Sequence, residues 1–262
     1  MPSEPTRGRG GAGCASWAVA PGAIRFVLSG AEPGPSDEAT DRAWARMVER
    51  NPRLFDGLFL SVERWSPPTV GAGGGGAPGV FACRVERYRR LATAPEVGGV
   101  SGAGGVVGVR LLALTGVVTA SDSAGVEHVL MGLRAAQTRM YGGLWEFAPA
   151  GGVDPPGAGQ SFDASLLRRV LARELEEEVG LSPKAMGACD PVLVVLNEEA
   201  HSYDVVMRTR LVIGLEEAAL RAVPESWEYE RIEWVPVDDA RAFADAEGIV
   251  PQGRAILQQL GW

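Results

Sequence analysis

The stretch from Asp163 to Val179 constrains this chain more than any other, because it reads as one long helix with a charged edge. Leu167, Leu171, Leu175 and Val179 form one row at i+4 spacing, and Val170, Glu174 and Glu178 form the next. Gly180 stands where a helix-ending glycine is expected. The carboxylates therefore flank the apolar stripe instead of lying opposite it, which turns them inward or along a cleft. At about 100° per residue, Glu177 joins Glu174 and Glu178 on one face. Like charges at this spacing destabilise an isolated helix by about 0.2–0.5 kcal/mol per pair, so three of them ask for full solvation or for a cation.

Ahead of the helix lies Gly151-Gly152, which follows Trp145-Glu146-Phe147. A glycine pair lets the main chain approach a phosphate or offer a carbonyl to a metal. Oxygen donors without histidine or thiolate favour Mg2+ or Mn2+ over zinc. The competing reading of the same helix is a solvated amphipathic face with no ligand.

The rest of the chain reads as short strands and helices in irregular alternation. Residues 1–20, rich in Gly, Pro, Ser and Ala, read as a flexible arm. Residues 21–104 read as a small α+β extension: strand Ile24–Leu28, a helix Glu38–Arg50 capped at Ser36 or Asp37, and strands Leu54–Val62 and Val80–Arg87. The glycine-rich Gly98–Gly105 marks the boundary to a second unit, 105–262. There Val106–Thr119, Glu127–Arg134, Pro191–Leu196, Asp204–Ile213 and Arg231–Val237 read as strands, and two short helices close the chain. This order predicts an α/β fold with a mixed sheet covered by helices.

Composition narrows the function. With 25 basic and 33 acidic residues the chain carries a net charge of −8, a poor match for a nucleic-acid polymer. It has no apolar run of membrane-spanning length, and its first residues lack the apolar core of a signal peptide, so the expectation is a cytoplasmic protein without membrane contact. Cys14, Cys83 and Cys189 have no metal-binding or disulfide spacing, and neither His128 nor His201 sits in a nucleophile motif.

The nine residues from Arg173 to Leu181, RELEEEVGL, match the second half of the box R-E-U-x-E-E-x-G-U, with U aliphatic, that defines Nudix hydrolases. The chain resembles that family over roughly Val106 to Trp262, where GLWEFAPAGG is similar to the strand and loop before the helix and EYERIEWVPVDDA to the strand after the active-site loop. The resemblance implies a Nudix α/β/α sandwich and a metal-dependent diphosphatase. It implies Glu174, Glu177 and Glu178 as ligands of Mg2+, with Mn2+ as the alternative, and the Gly151 carbonyl as a further ligand. Arg173 would orient the glutamates by ion pairing. A loop acid before the late strand completes the family's site; Glu228 fits best, with Glu230, Glu225, Glu198 and Glu199 as substitutes. Arg134, Trp145 and Gly152 are the expected substrate contacts, with Arg139, Tyr141 and Tyr203 as further options.

The chain departs from the family at the start of the box. Val153 to Ala172 is longer than the usual thirteen-residue gap, and the position eight before Arg173, where the family carries a glutamate, is Ser165. Asp163 is expected to cap the helix, the other option being that it replaces part of that charge. The segment Trp44 to Trp65 resembles the extension of the branch that hydrolyses UDP-glucose and UDP-galactose. The expected reaction is hydrolysis of a nucleoside diphosphate sugar to nucleoside monophosphate and sugar phosphate. The alternatives are ADP-ribose or dinucleotide hydrolysis, and a nucleotide-binding module with weak turnover. The partner implied is a small-molecule nucleoside diphosphate, with a homodimer left open.

Overall fold

The computed structural model describes residues 13–52, 54–69, 76–97, 108–157, 162–223 and 227–262. Its strands are β1 (Cys14–Ala18), β2 (Ile24–Gly30), β3 (Leu58–Ser66), β4 (Gly79–Arg87), β5 (Leu111–Ser121), β6 (Glu127–Arg134), β7 (Trp145–Phe147), β8 (Ala150–Gly152), β9 (Met186–Asn197), β10 (Ser202–Leu211) and β11 (Tyr229–Pro236). The helices are α1 (Glu38–Arg50), α2 (Tyr88–Val97), α3 (Ala164–Val179), α4 (Leu215–Arg221), α5 (Ala240–Glu247) and α6 (Pro251–Leu260). This is the mixed α/β architecture expected from the sequence.

β5 is the branch point of the sheet. Its eleven residues, LLALTGVVTAS, are apolar on both faces and almost wholly buried, which requires cover on each side. It pairs in parallel with β10 and antiparallel with β8 at Ala113–Thr115 and with β6 at Thr119–Ser121. One face is covered by α3 through Leu167, Leu171 and Leu175, and the other by α5 and α6 through Ala244, Ile256 and Leu257. The approach of α3 is close enough that a Cβ on Gly116 would stand 2.6 Å from Leu171 Cδ1. Each fully buried leucine of that seam contributes about 1.5–3 kcal/mol of transfer free energy.

The N-terminal strands extend the same sheet, in the order β1-β9-β10-β5-β3-β4-β2. Residues 14–18 of the segment read as an arm form β1, because the long β9 leaves a backbone edge that Cys14–Ala18 pairs with, and Trp17 stacks on Tyr203. β3 begins four residues later than the apolar pattern suggested. Asp56 instead accepts from the Arg89 backbone N–H at 2.8 Å and from Arg89 Nε at 2.6 Å, tying the preceding loop to α2. The helix α2 escaped sequence reading because it is short, contains Pro95 and follows β4 without an intervening loop. The boundary placed at residues 104–105 lies outside the described residues. Across it, β3 and the second unit are joined by Leu60 N–H to Val153 O (3.1 Å) and Val62 N–H to Arg110 O (2.7 Å). All three cysteines are free, and among the described residues no helix is long and apolar enough to cross a membrane.

Candidate active site

The helix α3 is set by its ends. The Asp163 carboxylate accepts from the Ser165 backbone N–H at 2.8 Å, and Gly180 closes the last turn at φ 74° with its N–H on Glu176 O. Asp163 therefore acts as the cap, and the hydrogen bonds it accepts from the Ser165 hydroxyl and backbone N–H hold its carboxyl below the ordinary range. Ser165 itself, in the position of the missing glutamate, donates to Asp163 and accepts from Arg169 Nη1 at 2.8 Å.

Along the helix the three box glutamates divide. Glu174 and Glu178 lie on the buried flank, 8% and 4% exposed, whereas the Glu177 side chain is 63% exposed. The reason is angular: Glu178 is rotated about 40° from Glu174 toward the sheet, and Glu177 about 60° the other way. Among the described residues no three His, Cys, Asp or Glu side chains are arranged to hold a metal ion. The expected convergence of three helix carboxylates is thus not what the fold builds.

What it does build is a pair, Glu174 and Glu178, against the Ala150–Gly151 main chain, with Glu228 near enough for its charge to act on both. The Ala150 N–H donates to Glu178 Oε2 at 3.3 Å. A Cβ on Gly151 would sit 3.1 Å from Glu174 Cδ, so the glycine is what lets the backbone lie against that carboxylate. Glu228, in the turn before β11, is fixed through its carbonyl, which accepts from the Ala135 N–H at 2.8 Å, and its carboxyl hydrogen-bonds with Glu178. Burial raises the Glu178 carboxyl far above the ordinary range, and the charges of Glu228, Glu174 and Glu146 add to it. Burial also raises Glu174, opposed by Arg173. Two buried carboxyls, Glu174 and Glu178, with the half-buried Glu228 nearby, are hard oxygen donors of the kind that suits a divalent cation, although as placed they do not close a three-ligand site. Arg173 holds the rim: it pairs with Glu174, with Asp154 at 2.5 Å and with Glu177 at 3.7 Å.

Glu228 and the Ala150–Gly152 main chain line a cleft of about 290 Å³ bounded by β5, β8, α2 and the loop after β6, with Glu174 and Glu178 behind that main chain. Arg139 lines it, and among the described residues no carboxylate pairs with its exposed guanidinium. Arg134 is placed otherwise: its Nη1 donates to the buried Glu146 at 2.5 Å and its Nε to Met140 O. Glu146 also accepts from Tyr229 Oη at 3.0 Å, and burial, partly offset by Arg134, pushes it up to about 7. Gly132 makes room for that tyrosine, since a Cβ there would meet its ring at 2.6 Å. Across the cleft a second buried acid, Asp204, accepts from Ser202 Oγ at 2.7 Å and Thr115 Oγ1 at 3.3 Å, and burial raises its carboxyl.

Glu146 and Asp204 were not found from sequence. Their signal was present, an acid at an interior position of an otherwise apolar strand, where an ionisable group is seldom left without a purpose. Other expectations are redirected. Trp145 is 1% exposed and packs edge-on against Phe243, so it belongs to the core and not to a substrate contact. Tyr203 stacks on Trp17 away from the cleft, while Tyr141 lines it, its hydroxyl bonded to the Asn197 amide at 3.1 Å. Gly152 lines the cleft too, but a Cβ there would make only an ordinary 3.5 Å contact with Leu111. Among the substitute loop acids, Glu230 accepts from Ala136 N–H, Glu198 pairs with Arg110, and Glu199 accepts from Tyr141. Glu225 lies outside the described residues. A larger concavity of about 860 Å³ near Trp17 and Pro67 has no acid among the described residues that line it.

The NUDIX domain family profile matches residues 111–259, more than half of the chain. Among solved structures, the chain is similar to a Nudix hydrolase from M. smegmatis, RenU, at 18% identity and TM-score 0.42, covering 58% of this chain and 83% of that one. It is similar to a NUDIX hydrolase from Alicyclobacillus acidocaldarius at 16% identity and TM-score 0.44, covering 57% and 90%. It is also similar to a MutT protein from Methanosarcina mazei Go1 at 18% identity and TM-score 0.40, covering 57% and 91%. No curated relative matches the sequence. The matched span contains β5 to α6, the whole glutamate-bearing helix and every acid of the cleft, so this chain belongs to the Nudix family, hydrolases of pyrophosphate bonds in small nucleotide derivatives that work with divalent metal ions.

Proposed function

We propose that this cleft hydrolyses a nucleoside diphosphate joined to a sugar, of the UDP-glucose kind, releasing nucleoside monophosphate and sugar phosphate. The observation that carries the chemistry is the pair Glu174 and Glu178 against the Ala150–Gly151 main chain, which together with Glu228 lines the cleft. The sugar reading is supported by the resemblance of residues 44–65 to the extension of the UDP-sugar branch and by the lengthened segment between Gly152 and Arg173.

Glu174, Glu178, the Gly151 carbonyl and, after rotation of its exposed side chain, Glu177 would hold Mg2+. The ion, when bound, supplies Lewis acidity toward the diphosphate oxygens and the attacking water. Arg173 keeps the Glu174 carboxylate oriented through their ion pair. Glu228 accepts the proton of the attacking water on a carboxylate oxygen. Arg139 binds diphosphate charge, and Arg134 holds Glu146 in the floor of the site.

The test is product analysis with Mg2+ on UDP-glucose, UDP-galactose, ADP-ribose, a dinucleoside polyphosphate and a nucleoside triphosphate. The highest kcat/KM on a UDP-sugar, with UMP and hexose 1-phosphate as products, supports the proposal. A preference for ADP-ribose or the dinucleotide transfers the site to that reading. Inorganic phosphate from the triphosphate as the sole product contradicts both, and nucleotide binding without any turnover contradicts the catalytic assignment.

A further inference from the structure

The extension before the catalytic unit has so far only completed the sheet. Its helix α2 does more, because Tyr88 and Leu91 form part of the cleft lining next to Leu111 and Ala113, opposite the loop that carries Arg139. Leu91 is buried with Phe59 and Val109 and anchors the helix. Tyr88 is only half-buried. Its backbone N–H donates to Gly57 O at 2.9 Å, and its ring is held edge-on by Trp44 of α1, with centroids 6.2 Å apart and planes at 84°. The ring also packs against the cluster of Phe59, Leu91 and Val109, so it is restrained on the protein side while its part-exposed remainder lines the cleft. Of the three aromatics expected from the sequence as ligand contacts, Trp145 and Tyr203 are committed to packing, and Tyr141 lines the cleft with its hydroxyl tied to Asn197. The cleft is thus polar and charged along β8 and the Arg139 loop, and apolar with one restrained, part-exposed ring along α2.

We propose that α2 supplies, in cis, the wall on which the nucleobase of the substrate packs, with Tyr88 as a specificity-determining residue. The inference rests on the diphosphatase reading above, and it gives the N-terminal extension a role in recognition. A planar base gains from stacking on a restrained aromatic face, a contact that neither a phosphate nor a divalent ion can use. Removing the ring should therefore weaken nucleotides and spare base-free diphosphates.

The experiment compares Tyr88→Leu and Tyr88→Phe with the wild-type full-length protein by calorimetric titration in Mg2+, using two non-hydrolysable probes, α,β-methylene-UDP and methylenediphosphonate. Leucine retains apolar packing against Trp44, and the melting temperature of each variant is measured alongside. Tyr88→Leu is expected to weaken α,β-methylene-UDP by about fivefold to a hundredfold and to leave methylenediphosphonate within about twofold, with Tyr88→Phe near wild type. Unchanged nucleotide affinity in Tyr88→Leu overturns the inference, as does equal weakening of both probes, which would mean that the residue acts through the fold. Wild-type protein that binds neither probe refutes the diphosphatase reading itself, an outcome distinct from either.

Discussion

Gly151→Ala tests the site most directly. The added Cβ would stand 3.1 Å from Glu174 Cδ and 3.3 Å from its Oε1. Ordinary carbon contacts lie at about 3.5–4.0 Å, so the carboxylate must retreat by about half an ångström. Arg173 pairs with that carboxylate and α3 fixes its stem, so the retreat is taken up at the oxygens. Mg2+ tolerates little variation around about 2.0–2.1 Å from its ligands, and comparable disturbances of ligand orientation cost about 10–100-fold in metal affinity. The expected result is a Mg2+ midpoint for turnover raised by that factor, about 1.4–2.7 kcal/mol. Stability should change little, because lost chain entropy in the unfolded state, worth about 0.4–1 kcal/mol, offsets part of the crowding. The control is Gly152→Ala, whose Cβ meets Leu111 at an ordinary 3.5 Å, and its Mg2+ midpoint should move less than about twofold. Turnover titrated against Mg2+, with melting curves on the same samples, decides the matter. If Gly151→Ala titrates like wild type, or if the two alanines behave alike, the Gly151–Glu174 contact is not part of a metal site.

Glu177→Gln should lower kcat by about a hundredfold or more while the melting temperature stays within about 2 °C, since the side chain is solvent-exposed and its one ion pair is long; steady-state kinetics near wild type would remove Glu177 from the site. Asp204→Asn should stabilise the protein. Burial raises the native Asp204 carboxyl above its unfolded value, so the native state holds the proton more tightly and wild type loses stability as pH rises from about 4 through the native pKa. The advantage of the variant should be absent near pH 4 and grow by up to about 1.4 kcal/mol per pH unit above it, and a pH-independent difference in melting temperature would contradict this. Gly132→Ala places a Cβ 2.6 Å from the Tyr229 ring behind Glu146, and should cost about 1–3 kcal/mol, or about 2–12 °C in melting temperature; a melt at or above that of wild type would show that the ring can yield.

The sequence by itself determined the local features. The helix from Ala164, its Asp163 cap, its Gly180 stop and the glutamate spacing all follow from interactions within a few residues, and so does α1 with its Asp37 cap. The NUDIX assignment was equally legible, since a contiguous box of fixed spacing needs no tertiary information. Tertiary structure decided which of those glutamates are buried, because a helix face acquires meaning only when a sheet lies against it: Glu174 and Glu178 turned to β8, and Glu177 to solvent. It also decided that Trp145 packs in the core, that Arg134 serves Glu146, and that Asp204 faces the cleft, all of which depend on partners 12 or more residues away. The fate of the N-terminal segment was least visible. β1 exists because β9 offers an edge, and α2 reaches the cleft because β3 docks beside Leu111 and Val153. Such placements are fixed by contacts that form only once the whole sheet has assembled.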